Sequence, residues 1–299
     1  MTSRQFRRAA ATTLACLAVG TAMMSGSATA APQAAGLPRI GVLTSGGTAL
    51  VKEGGLSTNW VNENDNVIQV VVAGDRIGVL KADGTALVKE GGLSTNWVTE
   101  NTGVKQIALS GDRIGVLKAD GTALVKEGGL STNWVTENDN VTQLALFATR
   151  IGVLKADGTA LVKEGGLSAD WVTENDNTTQ IALSGDRIGV LKGNGTALVK
   201  EGGLSTNWVT ESTGVKQIAL AFQRIGVLAA DGTALVKDGP LDAGWVNEYS
   251  SVTQLVLAGD RIGVRVSDGT ALVKEGGLST NWVNEYSNVI QLALTNGAD

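Results

Sequence analysis

The chain has no histidine, and its single cysteine, Cys16, and all three methionines fall within the first thirty of its 299 residues. Without histidine or a second cysteine, the Ser-His-Asp and Cys-His arrangements and every histidine-dependent metal site are excluded. Disulfides are excluded too, so an exported domain of this kind must be stabilised by packing or topology. Cations are not in excess: 24 basic residues face 29 acidic ones, for a net charge of −5. Nucleic acid and anionic membrane surfaces, which require clustered cations, are therefore not expected partners. After residue 30 no apolar run is long enough to cross a bilayer, so membrane insertion is not expected. The 40 glycines form no phosphate-binding loop, because none of them opens a helix.

The first thirty residues read as a secretory signal peptide. Arg4, Arg7 and Arg8 form a cationic start, residues 9–24 are small and apolar, and Ala28-Thr29-Ala30 supplies the cleavage site, with the cut after Ala30. Arg7-Arg8 permits a twin-arginine route, although Ala9-Ala10 is a poor match to it. Thr13-Leu14-Ala15 lacks the spacing that would make Cys16 a lipid anchor. The expectation is a secreted, extracellular protein with a short linker over 31–38. Removing the three arginines leaves 21 basic against 29 acidic residues, a net charge of −8.

What remains is repetitive. Residues 39–297 are seven consecutive copies of a 37-residue unit, starting at Arg39, Arg76, Arg113, Arg150, Arg187, Arg224 and Arg261 and each opening Arg-Ile-Gly-Val. A fixed period of this size marks a solenoid, propeller or array. In the copy over 76–112 no helical period survives, and glycine recurs too often for a helix to persist. Short apolar runs predict four strands, over 77–81, 86–89, 97–100 and 104–109. Asp83-Gly84 is a tight hairpin signal, and six of the seven copies carry Asp-Gly or Asn-Gly in this slot. Close succession of strands requires antiparallel pairing. Both faces of each sheet are apolar or small, so neighbouring copies must cover them.

These features predict an all-β fold over 39–299: a seven-bladed β-propeller of four-stranded antiparallel blades. A β-solenoid is the alternative, but its parallel sheets oppose the hairpin turns. The stretch 31–38 has no counterpart of the Gln-Ile-Ala-Leu strand, whereas 289–294 is one to spare. That last strand is expected to complete the blade begun at Arg39 and so close the ring.

Each copy has one tryptophan followed by valine, with a glutamate three positions on: Trp60, Trp97, Trp134, Trp171, Trp208, Trp245 and Trp282. The indoles could fill the gaps between blades, each burying roughly 200 Å² for about 5 kcal/mol, or form stacking platforms for sugars. In a strand, positions three apart face opposite ways, so each Trp and its Glu should serve different surfaces. Asn59, Asn96, Asn133, Asn207 and Asn281 precede five of the seven and could hydrogen-bond a ligand or satisfy their own backbone. The Lys89-Glu90-Gly91-Gly92 segment reads as a solvated ion pair beside a wide turn. The Glu63-Asn64-Asp65-Asn66 loops are oxygen-rich but lack EF-hand spacing, so no metal is expected. Phe147 and Phe222 interrupt a Ser-Gly-Asp turn and mark a contact surface.

The Trp-Val-x-Glu and Asp-Gly-Thr features resemble those of exported bacterial seven-bladed propellers and of β-propeller lectins of the tachylectin and tectonin type. The resemblance spans 39–299 and implies a multivalent carbohydrate-binding protein whose partners are glycans or cell-surface polysaccharide. This repeat is shorter than the units of those families, so no residue role is carried over. A structural or protein-interaction propeller without sugar affinity is the alternative. Seven near-identical units offer no unique catalytic constellation, so neither an enzyme nor a cofactor is expected.

Overall fold

The computed structural model describes residues 36–297. The expected signal segment lies outside them, as do residues 298–299. Among the described residues, twenty-eight strands form seven four-stranded sheets, all paired antiparallel. The second blade is typical: β4 (Val67–Ala73), β5 (Arg76–Lys81), β6 (Ala86–Glu90) and β7 (Val98–Asn101), hydrogen-bonded in that order. The first blade combines β1 (Arg39–Thr44), β2 (Ala49–Glu53) and β3 (Val61–Asn64) with the last strand of the chain, β28 (Val289–Thr295). Arg39 opposes Thr295 and Val42 opposes Leu292, so the two ends of the fold share one sheet, as the spare C-terminal strand predicted. The third strand was expected to begin at Trp97; it begins one residue later, leaving the tryptophan in the preceding loop.

β4 and its equivalents are the inner strands, lining a central channel of about 360 Å³. Apolar side chains from adjacent blades interleave in every gap: Leu43 and Val51 of the first blade meet Val70, Ile77 and Val79 of the second. The glycine of Arg-Ile-Gly-Val belongs to this packing. A Cβ on Gly115 would lie 2.7 Å from Leu144 and 3.0 Å from Leu146 of the next inner strand. Only a residue without a side chain lets these leucines seat against the sheet.

An inner strand has a free backbone edge, and glutamine covers it. Gln106 Nε2 donates to Leu144 O at 2.8 Å while its Oε1 accepts from Leu144 N at 2.9 Å. All seven blades repeat the clamp, and Gln291 returns to Val70 to finish the circle. Two hydrogen bonds per blade, each about 1 kcal/mol net, tie the channel wall together.

The Asp-Gly hairpins carry a second local bond. Asp83 Oδ1 accepts from Thr85 N at 2.9 Å, holding the exposed Asp83 carboxyl below its usual range. Asp120, Asp157, Asp231 and Asp268 are lowered by the same threonine amide.

Deleting residues 289–299 should leave the β1 edge unpaired and produce association or a loss of cooperative melting. Light scattering and thermal unfolding would reveal either; a monomer of unchanged melting temperature would refute closure by β28. The five turn aspartates have lowered folded pKa values, so they contribute stability above the ordinary value of 3.8 and lose it as pH falls through the folded values. Changing all five to asparagine should flatten the acid limb of a melting-temperature profile as pH falls below the ordinary aspartate value of 3.8. Asn194 already occupies this slot in one copy, bonding Thr196 N at 3.0 Å.

Candidate functional site

The strand register places the loops 54–60, 91–97 and their equivalents on the face where the inner strands end, because Arg76 at the start of β5 opposes Glu90 at the end of β6. Each loop carries a half-buried tryptophan. Beneath it, the last lysine of the second strand turns into the gap between blades. Lys89 is almost wholly buried; its Nζ donates to Leu93 O and pairs with Glu63 Oε2 of the preceding blade. It also lies 5.1 Å from the centre of the Trp97 ring. The arrangement recurs in every gap, and Lys52 closes it with Glu285 and Trp60. Trp60 thus faces one gap and Glu63 the next, as the alternation of strand side chains predicted.

The expectation of a solvated Lys-Glu pair is corrected. Lys89 and Glu90 are neighbours in a strand and point to opposite faces, so they cannot pair with each other. Glu90 instead accepts from Arg76 Nε at 2.9 Å, while Arg76 Nη2 donates to Gly128 O of the following blade at 2.6 Å. This second ring also closes, through Arg261 Nη2 and Gly54 O at 2.6 Å. Burial pushes the Glu63 and Glu285 carboxyls up, outweighing the attraction of Lys89 and Lys52. Each glutamate commits Oε2 to lysine and leaves Oε1 without a donor among the described residues. Desolvation therefore dominates, and these ion pairs fix geometry more than they add stability.

The site residues expected from sequence divide accordingly. All seven tryptophans have one face committed to lysine, and Trp60 Nε1 also donates to Glu285 O at 3.2 Å. Asn59, Asn96, Asn133, Asn207 and Asn281 are exposed, each beside its indole. Among the described residues their side chains make no hydrogen bond, so they do not satisfy their own loop. The preceding threonine does that work: Thr95 Oγ1 donates to Gly92 O at 2.9 Å. In the oxygen-rich loops a lysine takes the oxygens, Lys81 Nζ donating to Asn64 Oδ1 and Asp65 O. Sequence reasoning missed the buried lysines, the linking arginines and the glutamine clamp. Their presence in all seven copies, on strands otherwise apolar, was the available signal.

Replacing Lys89 with methionine should cost about 3–5 kcal/mol, because Glu63 is left charged, buried and unpaired. The double variant Lys89→Met with Glu63→Leu should recover most of that loss in urea denaturation. Additive losses would show that the two groups are not coupled.

No family model matches the chain, and neither does any curated protein. Solved structures share its fold. The chain is similar to Prp20p from Saccharomyces cerevisiae, described with its binding to Gsp1p and histones, at a TM-score of 0.60 and 11% identity over 86% of each chain. Human WBSCR16 superposes at 0.61, with 11% identity over 80% of this chain and 89% of that one. The apo form of AztD from Citrobacter koseri superposes at 0.57, with 10% identity over 86% of this chain and 97% of that one. Likenesses at this level of identity establish the propeller fold alone.

Proposed function

We propose that this chain is an exported, non-enzymatic, multivalent binding propeller that takes carbohydrate through the ring of Ser-Thr-Asn-Trp loops on one face. One observation carries the reading: exposed asparagine amides with no hydrogen-bond partner among the described residues stand beside half-buried indoles, around a closed ring. An indole offers an apolar platform to the C–H face of a sugar, and an amide offers both a donor and an acceptor to its hydroxyls.

The copies themselves support it. On the opposite face the Asp-Gly-Thr hairpins keep their sequence for a turn-bonding reason, whereas the exposed turns between the third and fourth strands diverge, from Asp65-Asn66 to Ser250-Ser251. The exposed Ser-Thr-Asn-Trp sequence survives unchanged in five copies, though packing accounts only for its threonine and tryptophan. Up to seven weak sites on one rigid ring would gain roughly 10² to 10⁴ in avidity on a glycan-coated surface. The second reading is a protein-interaction propeller without sugar affinity. It is favoured by the likeness to Prp20p, whose described partners are proteins.

A glycan array probed with residues 31–299 tests the proposal. A polysaccharide that binds should alter indole fluorescence. Changing Asn59, Asn96, Asn133, Asn207 and Asn281 to alanine should weaken binding at least tenfold while leaving the melting temperature within about 2 °C, since exposed, unbonded side chains contribute little to stability. Failure of every glycan to bind would leave the protein-interaction reading.

A further inference from the structure

The mouth of the channel on this same face departs from the sevenfold pattern in two turns, at Ala148 and Phe222. Four copies turn from the inner strand into the next strand through Gly-Asp, with the glycine in the left-handed region: Gly74, Gly111, Gly185 and Gly259, at φ between 45° and 53°. Two copies put larger residues into that conformation, Ala148 and Phe222, both at φ 47°. A bulky side chain there is strained, and strain of this kind persists only where the surroundings enforce it. They do so here. Ser110 Oγ accepts from Ala148 N at 2.6 Å, and Ser184 Oγ accepts from Phe222 N at 2.5 Å. Serine ends the inner strand only in the copies immediately before these two turns.

The outcome is an aromatic pair. Phe147, ending the inner strand of the fourth blade, meets Phe222 of the sixth blade edge to face, with ring centres 6.1 Å apart at 87°. The pair bridges the fifth blade above Ser184 and Gly185. Phe222 remains 43% exposed, so its ring is accessible at the mouth. Phe147 also lines a cavity of about 160 Å³ at the mouth, walled further by Leu146, Leu183 and Leu220. Around the rim, the carboxylates of Asp112, Asp186 and Asp260 are exposed and make no side-chain bond among the described residues. Asp186 belongs to the blade that the two rings span.

We propose that this mouth is a peptide-docking site, distinct from the outer ring of asparagines, which takes one large apolar side chain flanked by arginine or lysine. The apolar group enters the cavity beside Phe147. The flanking cations meet Asp186 and its neighbours, and the aromatic faces attract a cation as well. The charge of the rim is complementary to such a partner, since Asp112, Asp186 and Asp260 are exposed there.

Fluorescence anisotropy with three labelled pentapeptides tests this: Gly-Arg-Phe-Arg-Gly, Gly-Glu-Phe-Glu-Gly and Gly-Arg-Ala-Arg-Gly. The first should bind at least tenfold more tightly than the other two. Phe147→Ser and Phe222→Gly, each restoring a residue that other copies carry, should weaken it at least tenfold, and Asp186→Asn at least threefold. Relief of strain means that Phe222→Gly should also raise the melting temperature, by about 2–4 °C. The asparagine variants of the outer ring should bind the peptide normally, which separates this proposal from the carbohydrate reading. Equal binding of the three peptides, binding indifferent to both phenylalanine changes, or no binding at millimolar peptide would each overturn it.

Discussion

Each blade is attached to the next by a carboxylate that crosses the gap between them to a buried lysine. Glu63 reaches Lys89, and the same step repeats until Glu285 reaches Lys52. Neither partner finds its counter-ion within its own sheet. A buried ammonium without a carboxylate, or the reverse, would be strongly destabilising, so every blade depends on having a neighbour on each side. The arginine links and glutamine clamps run the same way around the circle, from one blade to the next. A linear array would part Lys52 from Glu285 and leave Arg261 without its acceptor at Gly54 O. Closure by β28 is therefore a chemical requirement of the repeat as well as a means of covering a sheet edge.

This arrangement separates what packing demands from what it leaves free. Arg, Gly, Lys, Trp, Glu and Gln recur because each contacts the adjacent blade at the same place. Opposite the tryptophan face, the Asp-Gly-Thr hairpins recur for their turn bond, while the turns between the third and fourth strands differ among copies. Against that background two surface features stand out: an exposed loop that keeps its sequence without a packing reason, and a channel mouth that departs from its pattern at the expense of backbone strain. Both lie on one face, the first around its circumference and the second on its axis. Conserved geometry and local exception could thus serve two kinds of ligand on a single rigid frame.

Much of this was legible in the residues. Asp83-Gly84 announced its hairpin, and the lack of any counterpart to residues 289–294 near the start announced the shared blade. The opposite facing of Trp60 and Glu63 followed from strand alternation. The lysine did not follow, although the same rule applied. Lys89 and Glu90 are adjacent in sequence and invite pairing, yet alternation sends them to opposite sides of the sheet. The true partner, Glu63, lies in another blade, and the packing angle between sheets brings it within reach. The asparagines were placed correctly in loops, but their lack of any internal bond depends on the path of the backbone around them.

Repetition and turn chemistry were enough to determine blade number, strand order and the way the ring closes, because those depend on period, hairpin signals and alternation along one chain. Tertiary structure alone decided which charges are buried, which face carries the tryptophan loops, and that Phe147 and Phe222, 75 residues apart in sequence, meet over a third blade. Such contacts join atoms of different sheets across a curved gap. Their distances depend on how seven sheets share one circle, which no local pattern of residues encodes.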